Sequence, residues 1–339
     1  MTAVAGSLTA VVILLSAQGC GTTADATTDA VGPTPAAALK VFNAYVTANK
    51  VAVANRDQLL AESLTSSAQY SVLASQYDVA ASTGVPVTSP RYGQPKLYVP
   101  KLTTYPQWFV AAVPEYPSHG GRAGTAVMVF DRTGALSGWT LDDAVQLAGG
   151  VPALNVAVDH QGYATALPTT DGSLEVPPDE VGATHASVVD DGPSSPAAKV
   201  VAAGAQTTGI YRANAAYAAK IRPGHWIYAW QMEGTSYPFF ALRTTDGGAI
   251  VFYTMALNEQ TWPAIKPPAH PKVRPPSIPV PDVYKPLLEA GQAPFVYELD
   301  AGSTLQFLTT DPPAPRNGAT PGKLVVVGSG GGLTYAGGS

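Results

Sequence analysis

Apolar positions Leu39, Phe42, Tyr45, Val46 and Val53 recur at intervals near three, four and seven residues. That is the stripe of an amphipathic helix. Thr34 and Pro35 precede it as an N-cap and first-turn signal. Asn55-Arg56-Asp57 interrupts the stripe, and Leu59, Leu60 and Leu64 predict a second short helix. A polar, serine-rich stretch runs on to about Ser89. Strand-like runs then follow at Leu97–Val99, Trp108–Val113 and Thr125–Phe130, with a turn at Asp131-Arg132-Thr133-Gly134. Asp142-Asp143 reads as the start of a short helix through Leu147, its acids matched to the helix dipole. Val156–Val158 and Tyr163–Leu167, joined by Asp159-His160-Gln161-Gly162, predict a hairpin.

The second half repeats the plan. Asp190-Asp191 reads as a linker, and Ser194 or Ser195 with Pro196 opens an alanine-rich helix over residues 197–222. Strands are predicted at His225–Met232, Phe239–Thr244 and Ala249–Leu257, the last two joined by Asp246-Gly247-Gly248. Trp226, Tyr228 and Trp230 share one face by alternation, with Ile227 on the other. Residues 265–281 contain seven prolines and predict an extended, polyproline-like strap; Lys266, His270, Lys272 and Arg274 make it basic, and a ligand for an aromatic groove is the other reading. A short helix at Tyr284–Ala290 and strands near Phe295–Leu299, 305–308 and 324–327 close the body, and the glycine-rich end from Gly328 is expected to fray.

A helix followed by an antiparallel meander, twice over, predicts an α+β fold. The expected architecture is two tandem helix-plus-antiparallel-sheet units, cystatin-like or nuclear-transport-factor-like, with a Pro-rich strap. Residues 1–19 form a signal peptide and 20–34 a flexible tether. A first domain spans 35–190 and a second helix plus sheet 191–262. The strap covers 263–286, closing elements 287–327 and the tail 328–339.

The N-terminal part of that division rests on an apolar run, LTAVVILL at residues 8–15, followed by Ser16-Ala17-Gln18-Gly19-Cys20-Gly21. The run is too short for a membrane span and has the length of a signal-peptide hydrophobic region. Small residues before a lone cysteine resemble the lipobox of bacterial lipoproteins, although Ala17 stands where that motif usually carries Leu and no Lys or Arg precedes Cys20. The resemblance implies cleavage before Cys20 and its acylation, palmitate included, giving a stable two-chain anchor on the outer face of the cell membrane.

Three further segments look similar to a domain of unknown function in actinobacterial, Streptomyces-type lipoproteins. They are Tyr98-Val99-Pro100 with Pro106–Val110, Phe130-Asp131-Arg132 leading to Gly138-Trp139, and Leu242-Arg243-Thr244 through Asp246–Ala249. The resemblance implies an envelope location and brings no catalytic residues with it.

Composition narrows the function further. The chain has 339 residues, 46% hydrophobic and only 13% charged, with net charge −5. It lacks the basic stripe that nucleic acid requires. One cysteine excludes an intramolecular disulfide and a cysteine-based zinc site. Histidines 119, 160, 185, 225 and 270 are scattered singly, so surface or capping roles are expected rather than metal ligation. No nucleophile elbow, P-loop or dinucleotide fingerprint occurs; no catalytic residue, metal or cofactor is assigned. Adjacent strand residues point to opposite faces, so Asp142-Asp143 is not read as a catalytic pair. A binding module is therefore expected, acting on an envelope protein or an apolar ligand. Trp226, Tyr228, Trp230 and Arg243 are the candidate pocket, with core packing the other reading of the aromatics. The alternative is an envelope hydrolase whose site is assembled from dispersed carboxylates such as Asp131, Asp159, Glu233 and Asp246.

Overall fold

The computed structural model describes residues 32–118, 122–265, 276–288, 294–315 and 320–339. The signal peptide, Cys20, residues 20–31 of the tether, His119 and residues 266–275 of the strap, His270 included, lie outside the described residues.

The described residues open with helices. α1 (Pro35–Asn55) starts where the Thr34 side chain accepts from the Ala37 N–H at 3.1 Å, with proline in its first turn. It ends at Arg56, in the left-handed conformation. Asp57 then caps α2 (Gln58–Ser63) through the Leu60 N–H. The serine-rich stretch is a third helix, α3 (Ser67–Thr83). Its polar serines hid a buried stripe of Ala68, Val72, Leu73, Ser75 and Tyr77.

Eleven strands follow among the described residues: β1 (Arg91–Tyr92), β2 (Lys96–Pro100), β3 (Gln107–Tyr116), β4 (Gly124–Arg132), β5 (Thr140–Leu147), β6 (Tyr163–Ala164), β7 (Trp226–Gly234), β8 (Phe240–Arg243), β9 (Ala249–Pro263), β10 (Leu299–Asp311) and β11 (Val325–Gly338). Two helices, α4 (Val181–Asp191) and α5 (Thr208–Ile221), separate the halves. All the strands belong to one sheet, in the order β6-β2-β3-β4-β5-β11-β10-β9-β7, with β1 on β3 and β8 on β9. Its ends approach each other: β6 lies parallel to β2, and Ala166 just beyond it pairs with Leu242 of β8. The sheet is thus a nearly closed, mixed barrel.

This overturns the expected α+β plan of two tandem helix-plus-sheet units. The strands of both halves join one sheet through β5 and β11, where Leu147 pairs with Gly328 and Gln146 with Ser329. Local periodicity finds strands but not their partners, and these partners are distant in sequence. Gly328–Gly338, expected to fray, are paired with β10 except at a bulge at Thr334. Asp142-Asp143, expected to begin a helix, sit in β5. Asp190-Asp191, expected to be a linker, end α4. The helix expected over 197–222 is a 3-10 turn at Pro196–Lys199 followed by α5.

The alternation of each strand divides its side chains between two cores. Tyr98, Trp108, Val127, Val129, Val145, Phe240, Phe252 and Leu308 fill the barrel interior. Phe109, Ala111, Met128 and Phe130 face outward, beneath Ala38 and Phe42 of α1. Val251, Tyr253, Met255 and Phe307 face outward beneath Val181, Val188 and Val189 of α4. The interior is a packed core of side chains, not an open channel.

Candidate functional site

The four predicted pocket residues fall in two places. Trp226, Tyr228 and Trp230 do share a face of β7, and that face is covered. Tyr228 is buried, stacks on Trp230 with ring centroids 5.8 Å apart, and meets the edge of Tyr217 of α5 at 4.9 Å. Its hydroxyl donates to Glu259, and that carboxylate together with burial holds the phenol above its ordinary range. Trp230 Nε1 donates to the Val189 carbonyl at 3.2 Å. Ile278 and Tyr284, from the far end of the strap, pack on the same cluster. Arg243 lies elsewhere. Trp230 pairs with Glu259 and Arg243 with Ala249, which separates them by roughly 30 Å along β9. Arg243 pairs with Asp171 at 2.7 Å and donates to Ser173 and the Gly247 carbonyl.

The dispersed carboxylates are not brought together either. Asp159 pairs with Lys101 at 3.3 Å and accepts from the N–H groups of its own turn. Asp246 accepts from Thr244 and Gly248 in the β8–β9 turn. Glu233 is exposed on β7.

Asp131 instead joins Asp142 and Asp143, through a feature that sequence reasoning missed. The β4–β5 register shifts between Val129 and Phe130, leaving Asp142 as an extra, bulged residue. A bulge suspends strict alternation, so both neighbouring carboxyl groups turn inward; each residue is 1% exposed. Gln306 on β10 satisfies the disrupted backbone: its carbonyl accepts from the Ala144 N–H and its amide donates to the Asp142 carbonyl, both at 3.3 Å.

Donors to the carboxyl groups are few. Ser66 lies 3.1 Å from Asp131 and 3.3 Å from Asp142, and Thr140 lies 3.1 Å from Asp131. These two hydroxyl protons serve three contacts, and Ser67 adds a further hydrogen bond to Asp142. Thr254 donates to Asp143 at 3.1 Å. Burial pushes Asp142 up to about 6, and burial beside Asp142 holds Asp143 well above the carboxylate range. Asp142 Oδ1 and Asp143 Oδ2 are buried with no hydrogen-bond donor, which disfavours the charged form of both groups. Asp311, buried beside Glu175, is likewise raised to about 7.

His185 is the one described histidine in the core, against the surface or capping role expected of it. Its Nε2 faces the Gln206 carbonyl at 2.7 Å and must carry the proton, so Nδ1 accepts from the Tyr253 hydroxyl at 2.9 Å. Burial lowers it to about 4. His160 and His225 are exposed. No group of three or more His, Cys, Asp or Glu side chains suited to a metal ion occurs among the described residues.

Several concavities among the described residues are open to solvent, one of them beside Arg243, Ser173 and Asp246, and two others have apolar walls. An apolar pocket of about 330 Å³ sits at one end of the barrel core, over Leu154, Ile250 and Val327, with Lys323 on its lining. A groove of about 640 Å³ runs along α3, between Val72, Val79 and Val85 on one side and Val283, Leu287 and Leu333 on the other. Ser75 donates to the Leu333 carbonyl at 2.6 Å and ties α3 to β11 along its floor. Val85 and Val283 remain 68% and 63% exposed. No helix among the described residues is long and apolar enough to cross a membrane.

A nearly closed β-barrel jacketed by helices, with an apolar groove on its flank, defines the class of protein. Residues 31–280 match a domain of unknown function (DUF8094), and the chain belongs to that family. An uncharacterized lipoprotein of Streptomyces coelicolor, SCO2278, is 29% identical over 258 residues, covering 73% of this chain and 74% of its own. An uncharacterized lipoprotein of Streptomyces avermitilis is 28% identical over 159 residues, 47% of this chain and 45% of its own. The chain is thus a Streptomyces-type lipoprotein with a domain of unknown function. No solved structure matches it significantly.

Proposed function

We propose that this lipoprotein is held by an acylated Cys20 on the outer face of the cell membrane and acts there as a binding module for an envelope protein or an apolar ligand. The observation that carries this reading is the groove along α3. Apolar side chains from α3, the 85–88 segment and the 283–287 segment converge on it and stay in contact with water. Such a patch, rimmed by Gln76, Thr83 and Thr88, has the make-up of a recognition surface.

The test is site-specific photo-crosslinking in cells. A photoreactive amino acid at Val85 or Val283 is expected to give the same discrete adduct, absent when it stands at Val325, away from the groove. No adduct at either groove position, or the same set at Val325, would remove the groove from the reading. Cys20→Ala, run alongside, is expected to move the protein from the membrane to the soluble fraction; retention in the membrane would overturn the anchor.

A second reading, a hydrolase, draws only on the Asp131–Asp142–Asp143 cluster, where perturbed carboxyl groups collect. Its 1% exposed aspartates at the bulge, set against the open groove, favour binding.

A further inference from the structure

The described chain begins beside one end of the barrel. A Cβ on Gly32 would stand 2.7 Å from the Leu102 carbonyl oxygen, so the chain enters α1 pressed against the β2–β3 turn. The neighbouring turn at this end is β4–β5. Residues 101–106 (Lys-Leu-Thr-Thr-Tyr-Pro) and 133–139 (Thr-Gly-Ala-Leu-Ser-Gly-Trp) contain no acid. Leu136, at the tip of the second turn, is 103% exposed. Arg132 joins the two turns: its guanidinium lies 5.4 Å from the Tyr105 ring and 5.1 Å from the Trp139 ring. Lys101 lies 4.8 Å from the Tyr163 ring, and Asp159, which pairs with it, is the acid at its side.

We infer that this end of the barrel seats on the lipid bilayer, with Leu136 entering the boundary between headgroups and acyl chains. The inference rests on the anchored reading above. Its chemistry is that of an interfacial contact: an apolar tip, aromatic rings suited to the headgroup level, and the half-exposed Lys101 beside them, while Arg132 is held by Gln107. The length of chain outside the structure selects the same end. Residues 21–31 separate Cys20 from Gly32, and at no more than about 3.6 Å per residue they reach at most roughly 40 Å. A folded body of this size is itself about 50 Å across. A reach shorter than the body keeps the opposite end, which bears Val325, from meeting the bilayer, and the apolar tip and rings then favour the Gly32 end over the flanks.

The full-length lipoprotein provides the test. An acylated Cys20 has no free thiol, so Leu136→Cys takes a fluorophore at that position alone; the residue is fully exposed, and the change leaves the fold intact. Val325→Cys is the control at the far end. Each labelled protein is reconstituted into phosphatidylcholine vesicles with about a quarter phosphatidylglycerol, with and without a lipid carrying a quencher high on its acyl chain. Quenching about threefold or more stronger at 136 than at 325 is expected of a residue below the headgroups. Equal quenching in protein that floats with the vesicles would overturn the seating and leave the anchor standing. Failure to float with the vesicles, or labelling at Cys20 itself, would overturn the anchor and the seating with it.

Discussion

At the scale of the residue, two buried titrations of opposite sign set the pH response. A carboxyl raised above its unfolded value favours the fold where it is protonated and costs stability as pH rises through its folded value. Asp311, raised to about 7, and Asp142, raised to about 6, therefore make the fold more stable as pH falls from about 8 toward the unfolded carboxylate value near 4, Asp311 acting first. His185, lowered to about 4, works the other way: the unfolded chain takes up its proton first, and stability is lost below about pH 6.5. The melting temperature is expected to rise from pH 8 to about 6.5 and to go on rising toward pH 5, where His185 offsets one of the carboxyl gains. Asp142→Asn keeps an acceptor for Ser66 and removes one titration, so its rise between about pH 7 and 5 should be visibly shallower. A wild-type melting temperature that fell between pH 8 and 6 would contradict a protonated cluster. The three aspartates were plain in the sequence, but their meeting was not. Alternation places adjacent strand residues on opposite faces, and only the bulge at Asp142 breaks that rule.

At the scale of the element, local signals located most of the strands and the first helix. Thr34, Pro35 and the Asn55-Arg56-Asp57 break mark the bounds of α1 and α2 because capping is a contact among neighbours. β11 shows what composition hides. Its glycines looked like a loose tail, yet they are the condition for close strand approach. A Cβ on Gly330 would stand 2.1 Å from the Ala144 carbonyl oxygen, and Gly331, with φ of 89°, would bring one as near to the Thr304 carbonyl oxygen. Gly330→Val is expected to destabilise the protein by about 1–3 kcal/mol or more through overpacking. Gly332→Ala, which meets nothing within 4 Å, should stay within about 0.5 kcal/mol of wild type. Urea denaturation midpoints, with slopes compared, would measure both; equal effects would mean that β11 is not seated against β5 and β10.

At the scale of the whole molecule, β11 joins the strands of the two halves, pairing with β5 on one edge and β10 on the other. The intact protein is therefore expected to unfold in a single transition, with tryptophan fluorescence and far-ultraviolet circular dichroism coincident. Removing residues 328–339 should abolish that transition in both halves at once; two separate transitions in the intact chain would show that the halves fold apart. The sequence alone determined the helix–strand alphabet, the inward and outward faces of most strands, and the membership signals of an envelope lipoprotein. These depend on neighbours, on periods of two and 3.6, and on a short motif around Cys20. Only the tertiary structure decided that one barrel replaces two domains, that the β7 aromatics are covered while the α3 groove is open, and that Asp131 and the adjacent Asp142 and Asp143 share one buried site. Each of those outcomes rests on pairings between distant segments, whose free energy comes from burial that no local pattern records.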